Sequence, residues 1–283
     1  MKQVTVLGLG AMGSSLANAL LRTGHEVTVW NRSPERANAL AARGARKAES
    51  VSQALADSPL CIVCVLDYAA AREILEQAPR ELAGKDLINL TNGTPAQALE
   101  LAARTVSLGA RYLDGAILVT PESIGETGAV VLYSGNGDAS SLAAFGDALY
   151  LGPDASLAAV QDLAFLSSMF GMFAGYLHAA ALLRSKGLSV ADVTPGIVAL
   201  LEAMIRLLPE TATQIDTGVH PTPTSNNRMM TAALTNIVAG SEHQGVAPDL
   251  IRPILALFER AVASGSGDRD IAALVPLLAA TAS

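Results

Sequence analysis

The feature that most limits what this chain can fold into lies in its first thirteen residues. A β-branched run, Val4-Thr5-Val6-Leu7, leads directly into Gly8-Leu9-Gly10-Ala11-Met12-Gly13, and a helical pattern over Ala11–Arg22 follows. Strand, glycine turn and helix in that order form the opening unit of a parallel, dinucleotide-binding sheet. The first glycine turns the chain tightly, the second lets backbone approach a pyrophosphate, and the third lets the helix pack on the strand. The pyrophosphate then sits on the unpaired N–H groups at the helix N-terminus. Gly8, Leu9, Gly10, Ala11, Met12 and Gly13 are therefore all assigned to a cofactor site.

The end of the next strand, Glu26–Trp30, selects the dinucleotide. An NAD site places Asp or Glu there to accept hydrogen bonds from the adenosine ribose. This chain reads Asn31-Arg32-Ser33-Pro34-Glu35-Arg36. Neutral Asn31 removes the charge that would repel a 2′-phosphate, Arg32 offers it a bidentate charge-assisted pair, Ser33 can donate to it, and Arg36 lies a turn onward. The expected cofactor is NADP(H). Ligands bind at the carboxyl ends of parallel strands, so Leu66-Asp67 and Thr91-Asn92-Gly93-Thr94 join the same site by topology. Thr94 also has the position of a helix cap before Pro95.

Strand and helix patterns alternate through the first half. Val4–Leu7, Glu26–Trp30, Leu60–Leu66, Asp86–Leu90, Tyr112–Val119 and Ala129–Tyr133 read as strands, with Gly135-Asn136-Gly137 as a turn. Ala11–Arg22, Pro34–Arg43, Tyr68–Glu76 and Pro95–Thr105 read as helices. Beyond about Leu151 only helical periodicity remains, over Asp162–Lys186, Val190–Leu208, Arg228–Gln244 and Pro248–Ser264, with a loop at 220–226. The expected fold is α/β: an N-terminal Rossmann domain (1–155), a long interdomain helix (156–186) and an all-α C-terminal domain (187–283).

Composition narrows the function classes. Of 283 residues 51% are hydrophobic and only 16% charged, and the net charge is −7. An acidic chain with 4% aromatic residues does not offer a nucleic acid the basic surface or exposed rings it requires. Leu163–Leu183 contains no Asp, Glu, Lys or Arg, long enough for a membrane span, and includes Gly171-x-x-x-Gly175. Ser167, Ser168, Tyr176 and His178 interrupt it and no aromatic belt frames it, so we read it as a buried interdomain helix rather than a span. Cys61 and Cys64 lie three apart on a strand and point to opposite faces, which makes them buried hydrophobes rather than a redox pair or metal site. No metal is expected. The whole reads as a cytoplasmic protein.

Taken together, the opening glycine motif and Gly24-His25-Glu26-Val27-Thr28-Val29-Trp30-Asn31-Arg32-Ser33 resemble the β-hydroxyacid dehydrogenase superfamily, and more narrowly its NADPH-dependent imine reductase and reductive aminase branch. The resemblance continues in Leu90–Pro95, Pro121-Glu122-Ser123-Ile124-Gly125, Gln214-Ile215-Asp216-x-Gly218 and Gly267-Asp268-x-Asp270-x-Ala272-Ala273-Leu274. It implies hydride transfer from NADPH to a C=N bond, the substrate being an imine, or a ketone plus an amine. It also implies a domain-swapped homodimer in which each pocket takes walls from both chains, with Met229 and Met230 near the partner's site.

The dehydrogenases of this superfamily use a lysine on the long interdomain helix. The lysines here are Lys2, Lys47, Lys85 and Lys186, so the body of that helix has none. What it carries is Asp162, which shares a helical face with Leu166, Met169, Phe173, Tyr176 and Ala180. The resemblance makes Asn92 and Asp162 the polar groups of the substrate site. Where relatives place a tyrosine or aspartate two turns beyond, this chain has Phe170, which cannot donate a proton. Asp162, Tyr176, water or an already protonated iminium then fills that role. Two other readings compete: an NADP-dependent alcohol or carbonyl oxidoreductase with a substitute acid, and a non-enzymatic NADP-binding sensor.

Overall fold

The computed structural model describes residues 2–220 and 225–279. Residues 221–224, the centre of the expected 220–226 loop, lie outside the described residues. The chain divides into two compact units, Met1–Ser167 and Ser168–Ser283.

The first unit is an eight-stranded sheet. In chain order its elements are β1 (Gln3–Leu7), α1 (Ala11–Arg22), β2 (Glu26–Trp30), α2 (Asn38–Ala41), β3 (Arg46–Lys47), α3 (Val51–Ala56), β4 (Leu60–Val63), α4 (Tyr68–Leu75), β5 (Asp86–Asn89), α5 (Pro95–Ser107), β6 (Arg111–Ile117), β7 (Val130–Asn136) and β8 (Asp147–Tyr150). The strand order is β3-β2-β1-β4-β5-β6-β7-β8, parallel at every pairing except β6 with β7. Six of these strands therefore follow the 3-2-1-4-5-6 order of a dinucleotide-binding fold, with the strand order reversing beside β1. Two apolar layers cover the sheet. One is built on Val6, Leu16, Leu20, Ile62 and Ile88, the other on Leu7, Leu55, Val63, Leu87 and Leu101, and every one of these is buried.

Several elements differ from the sequence expectation for identifiable reasons. The strand expected over Leu60–Leu66 stops at Val63, and the helix expected over Pro34–Arg43 is a 3-10 turn (Pro34–Ala37) followed by the single turn of α2. Gly135 and Asn136 are not a turn but the end of β7. Gly135 has φ +107°, and a Cβ there would lie 2.5 Å from the Tyr112 carbonyl oxygen, so the glycine serves a close backbone approach inside the sheet. The edge strands β3 (two residues, Arg46-Lys47) and β8 (four residues, mostly exposed) are too short to carry a legible period-2 pattern.

The second unit is helical. α6 (Ser156–Ser185) begins in the first unit and is 30 residues long, followed by α7 (Val190–Ile205), α8 (Leu208–Thr217), α9 (Asn227–His243) and α10 (Arg252–Ala261). The periodic run expected to reach Leu208 breaks at Arg206, and Pro209 opens α8 in its first turn, where its missing N–H costs nothing. Asn227 ties the start of α9 to the chain end, its amide donating to the carbonyls of Ser266 (3.0 Å) and Asp270 (3.1 Å). His178 is buried and its Nε2 bonds the Ser241 hydroxyl at 3.1 Å, a packed histidine joining α6 to α9.

Candidate active site

The glycine turn is built as a cradle. Gly8 sits at φ +98°, and a Cβ on it would lie 2.3 Å from the Cys64 carbonyl oxygen. A Cβ on Gly13 would lie 2.0 Å from the Gly8 carbonyl oxygen, whereas Gly10 has open space around it. Two glycines thus fold the turn on itself and the middle one leaves room for a ligand. The turn forms one wall of a cleft of about 550 Å³, completed by Trp30, Asn31, Arg32, Ser33 and Arg36 after β2 and by Cys64, Val65 and Leu66 after β4.

Asn31 does more than remove a charge. Its Oδ1 accepts from the Leu9 N–H at 2.9 Å, and its Nδ2 donates to the Ser33 carbonyl at 3.1 Å. The amide fixes the glycine turn against the loop that presents Arg32 and Arg36. One cleft wall was not legible in the sequence: Ala70, Glu73, Ile74 and Gln77, spaced i, i+3, i+4, i+7 along and just beyond α4. That spacing is the available signal, but only the strand order shows that this face of α4 meets the glycine turn.

The remaining predicted residues fall into distinct settings. Asp67 caps α4, its carboxylate accepting from the Ala70 N–H at 2.8 Å, while neighbouring Leu66 is exposed in the cleft. Thr91 is buried, its hydroxyl accepting from the Val65 N–H at 3.2 Å. Thr94 caps α5 in a reciprocal box with Gln97. Gly93 lies so close to the Tyr68 ring that a Cβ would approach it to 2.3 Å. The turn after β5 is therefore pressed onto Tyr68, and it aims Asn92 outward.

Asn92 Nδ2 donates to Asp162 Oδ2 at 2.6 Å. This bond joins the β5 turn to the second turn of α6, and Asp162 is 8% exposed. Phe170, two turns further along the helix, is 62% exposed. Tyr176 does not turn toward Asp162 for a partner; its hydroxyl pairs with Thr194 of α7 at 2.8 Å. A third acid was missed in the sequence. Asp114, in the middle of β6, accepts at one oxygen from Tyr68 and Tyr112 (both 2.6 Å) and from Asn89 (3.1 Å). An ionisable residue inside a strand of apolar neighbours was the available signal.

Cys61 and Cys64 are free and buried, and burial pushes the Cys64 thiol up to about 12. Neither is a reactive thiolate. Among the described residues no group of three or more His, Cys, Asp or Glu gathers to hold a metal.

A cleft with these glycines at the switch point of a mostly parallel sheet defines a dinucleotide-binding fold. Residues 3–144 match the family model described as the NAD binding domain of 6-phosphogluconate dehydrogenase, and residues 154–280 match the NADPH-dependent reductive aminase-like C-terminal domain. An NADPH-dependent reductive aminase from Aspergillus oryzae is 40% identical over 97% of this chain and 96% of its own. Among solved structures, a reductive aminase from Aspergillus terreus in complex with NADPH and ethyl-5-oxohexanoate is 45% identical, with a TM-score of 0.94 over 99% of this chain and 100% of that one. The Aspergillus terreus reductive aminase in complex with NADPH4, cyclohexanone and allyl amine is 46% identical, with a TM-score of 0.93 over 98% and 99% of the two chains. The chain belongs to the NADPH-dependent reductive aminase and imine reductase family, and its cofactor is NADPH.

Proposed function

We propose that this protein reduces C=N bonds with NADPH, taking a preformed imine or one made from a ketone and an amine, and that Asp162 and Asn92 hold the reacting nitrogen. The reading is supported by its relatives: the similar structures were solved with NADPH and a ketone ester, and with NADPH4, a ketone and an amine. The observation that carries it is the 2.6 Å bond from Asn92 to Asp162. A buried carboxylate held by a neutral amide, with no cation paired to it among the described residues, presents negative charge that suits a substrate that becomes an iminium. NADPH supplies the hydride when bound. The chain's own part is to seat the pyrophosphate on the glycine turn, hold the 2′-phosphate with Arg32, Ser33 and Arg36, and steady the positive nitrogen with Asp162. With Phe170 in place of a hydroxylated side chain, the proton reaches a neutral imine through Asp162 or water.

The functional test is a panel: cyclic imines with NADPH, ketone plus amine with NADPH, and 3-hydroxy acids with NADP. Turnover of imines supports the reading, and turnover of hydroxy acids alone overturns it. Arg32→Ala should raise the KM for NADPH about 10- to 100-fold, the worth of a charge-assisted phosphate contact, and leave NADH nearly unchanged. Equal losses with both cofactors would make Arg32 structural.

The working form we propose is a cytoplasmic homodimer. Phe165, Met169, Phe170, Met172, Phe173 and Leu177 of α6 are all exposed in the single chain. The helix has the length and composition of a membrane span. The reading as a dimer interface rests on His178, Ser167, Ser168 and the absence of an aromatic belt, and on the family's architecture.

A further inference from the structure

Below the Asn92–Asp162 pair, Asp114 forms a buried hub that the reduction as described does not use. It is 1% exposed, and one of its oxygens takes three donors: Tyr68 from α4, Tyr112 two residues back on its own strand, and Asn89 from its register partner in β5. On the β7 side its register partner is Ser134, an uncharged residue. The groups that act on its charge are those two phenols, the Asn89 amide and, across the gap to α6, Asp162. Two of the contacts lead to the proposed site. The Tyr68 ring is the surface against which Gly93 is pressed, and Gly93 follows Asn92. Asp162 is itself the acid that Asn92 holds.

We propose that Asp114 is a positioning residue for the reduction: its carboxylate anchors Tyr68 under the Asn92–Gly93 turn and sets a second negative charge behind Asp162, so that the site receives a cationic substrate best while Asp114 is ionised. The inference rests on the function proposed above. Its chemistry favours an acid over a neutral hub. An asparagine would accept the same three donors without the desolvation cost of a charge. Burial, the largest cause, pushes the Asp114 carboxyl from its ordinary 3.8 up to about 6, against the three hydrogen bonds that hold it down and with the Asp162 charge raising it further. The folded acid binds its proton more tightly than the unfolded one. Its contribution to stability is therefore full below the unfolded value and lost as pH rises through about 6. The fold carries an ionised, stability-lowering acid at neutral pH beside the site that takes a cation, which is the pattern of a group kept for function.

The test follows kcat/KM against pH for a permanently charged N-alkyl cyclic iminium, which has no proton of its own to titrate, together with infrared difference spectra of the carboxyl band. In the wild type, kcat/KM should fall below a limb near 6, and a protonated carboxyl should appear over the same range. Asp114→Asn should lose both limb and band and lower kcat/KM at neutral pH about tenfold, with the KM for NADPH unchanged. Tyr112→Phe removes a donor to the anion and should move the limb to higher pH; it decides the matter should Asp114→Asn fail to fold. Asp162→Asn should keep the limb and shift it slightly downward. A flat wild-type profile, or a limb unmoved by both Asp114→Asn and Tyr112→Phe, overturns the proposal. A protein that reduces no imine at all refutes the function instead, and the infrared band still reports Asp114.

Discussion

Asp162→Asn is expected to lower kcat for a neutral cyclic imine about 30- to 1,000-fold while NADPH binding is retained, because the loss of one well-placed transition-state charge is worth ~2–4 kcal/mol. Asparagine keeps an oxygen for the Asn92 amide, so the 2.6 Å contact that positions the side chain survives and only the charge is removed. The loss should be smaller for an N-alkyl iminium, which arrives charged and needs no proton. Phe170→Tyr keeps the aromatic ring and adds only a hydroxyl, so it should cost little stability, and it restores a hydroxyl two turns beyond the acid. Parallel steady-state measurements on the two substrate types decide the point. Equal losses on both, accompanied by weaker NADPH binding, would reduce Asp162 to a structural acid near the start of α6.

The second large effect concerns assembly. A Cβ on Gly171 or Gly175 would meet no atom within 4 Å in the single chain, so a side chain fits there unless a second molecule covers the face. Gly175→Glu should therefore leave the chain folded and abolish the dimer, since an unpaired charge buried at an interface costs several kcal/mol. Sedimentation velocity at micromolar concentration reads this directly. A monomeric wild type, or a glutamate variant that still dimerises, would contradict the proposed interface, and a wild type that partitions into lipid vesicles would favour the membrane reading of α6.

How much of this was legible in the sequence depended on how local each feature's chemistry is. The glycine turn was legible in full, because strand, turn and helix are contiguous and each glycine has a steric reason. Asn31 was read for the charge it lacks, and its role as a tie between two loops appeared only with the 2.9 Å bond to Leu9. Asp162 was found through an uncharged helix that made one acid conspicuous. Asp114 was passed over because its donors come from residues 68, 89 and 112, which only strand order and register bring together. Gly135 was misread for the same reason: Gly-Asn-Gly is turn chemistry locally, and only the antiparallel pairing with β6 makes it a strand residue.

Delivery of hydride to the carbon of a C=N bond can be followed by isotope transfer. A ketone and an amine are incubated with the protein and NADPH deuterated at both positions of the nicotinamide C4, and the product is examined by NMR and mass spectrometry. The expected product is an amine carrying one deuterium, on the carbon bonded to nitrogen. Deuterium recovered in the alcohol derived from the ketone, with none in the amine, would contradict it.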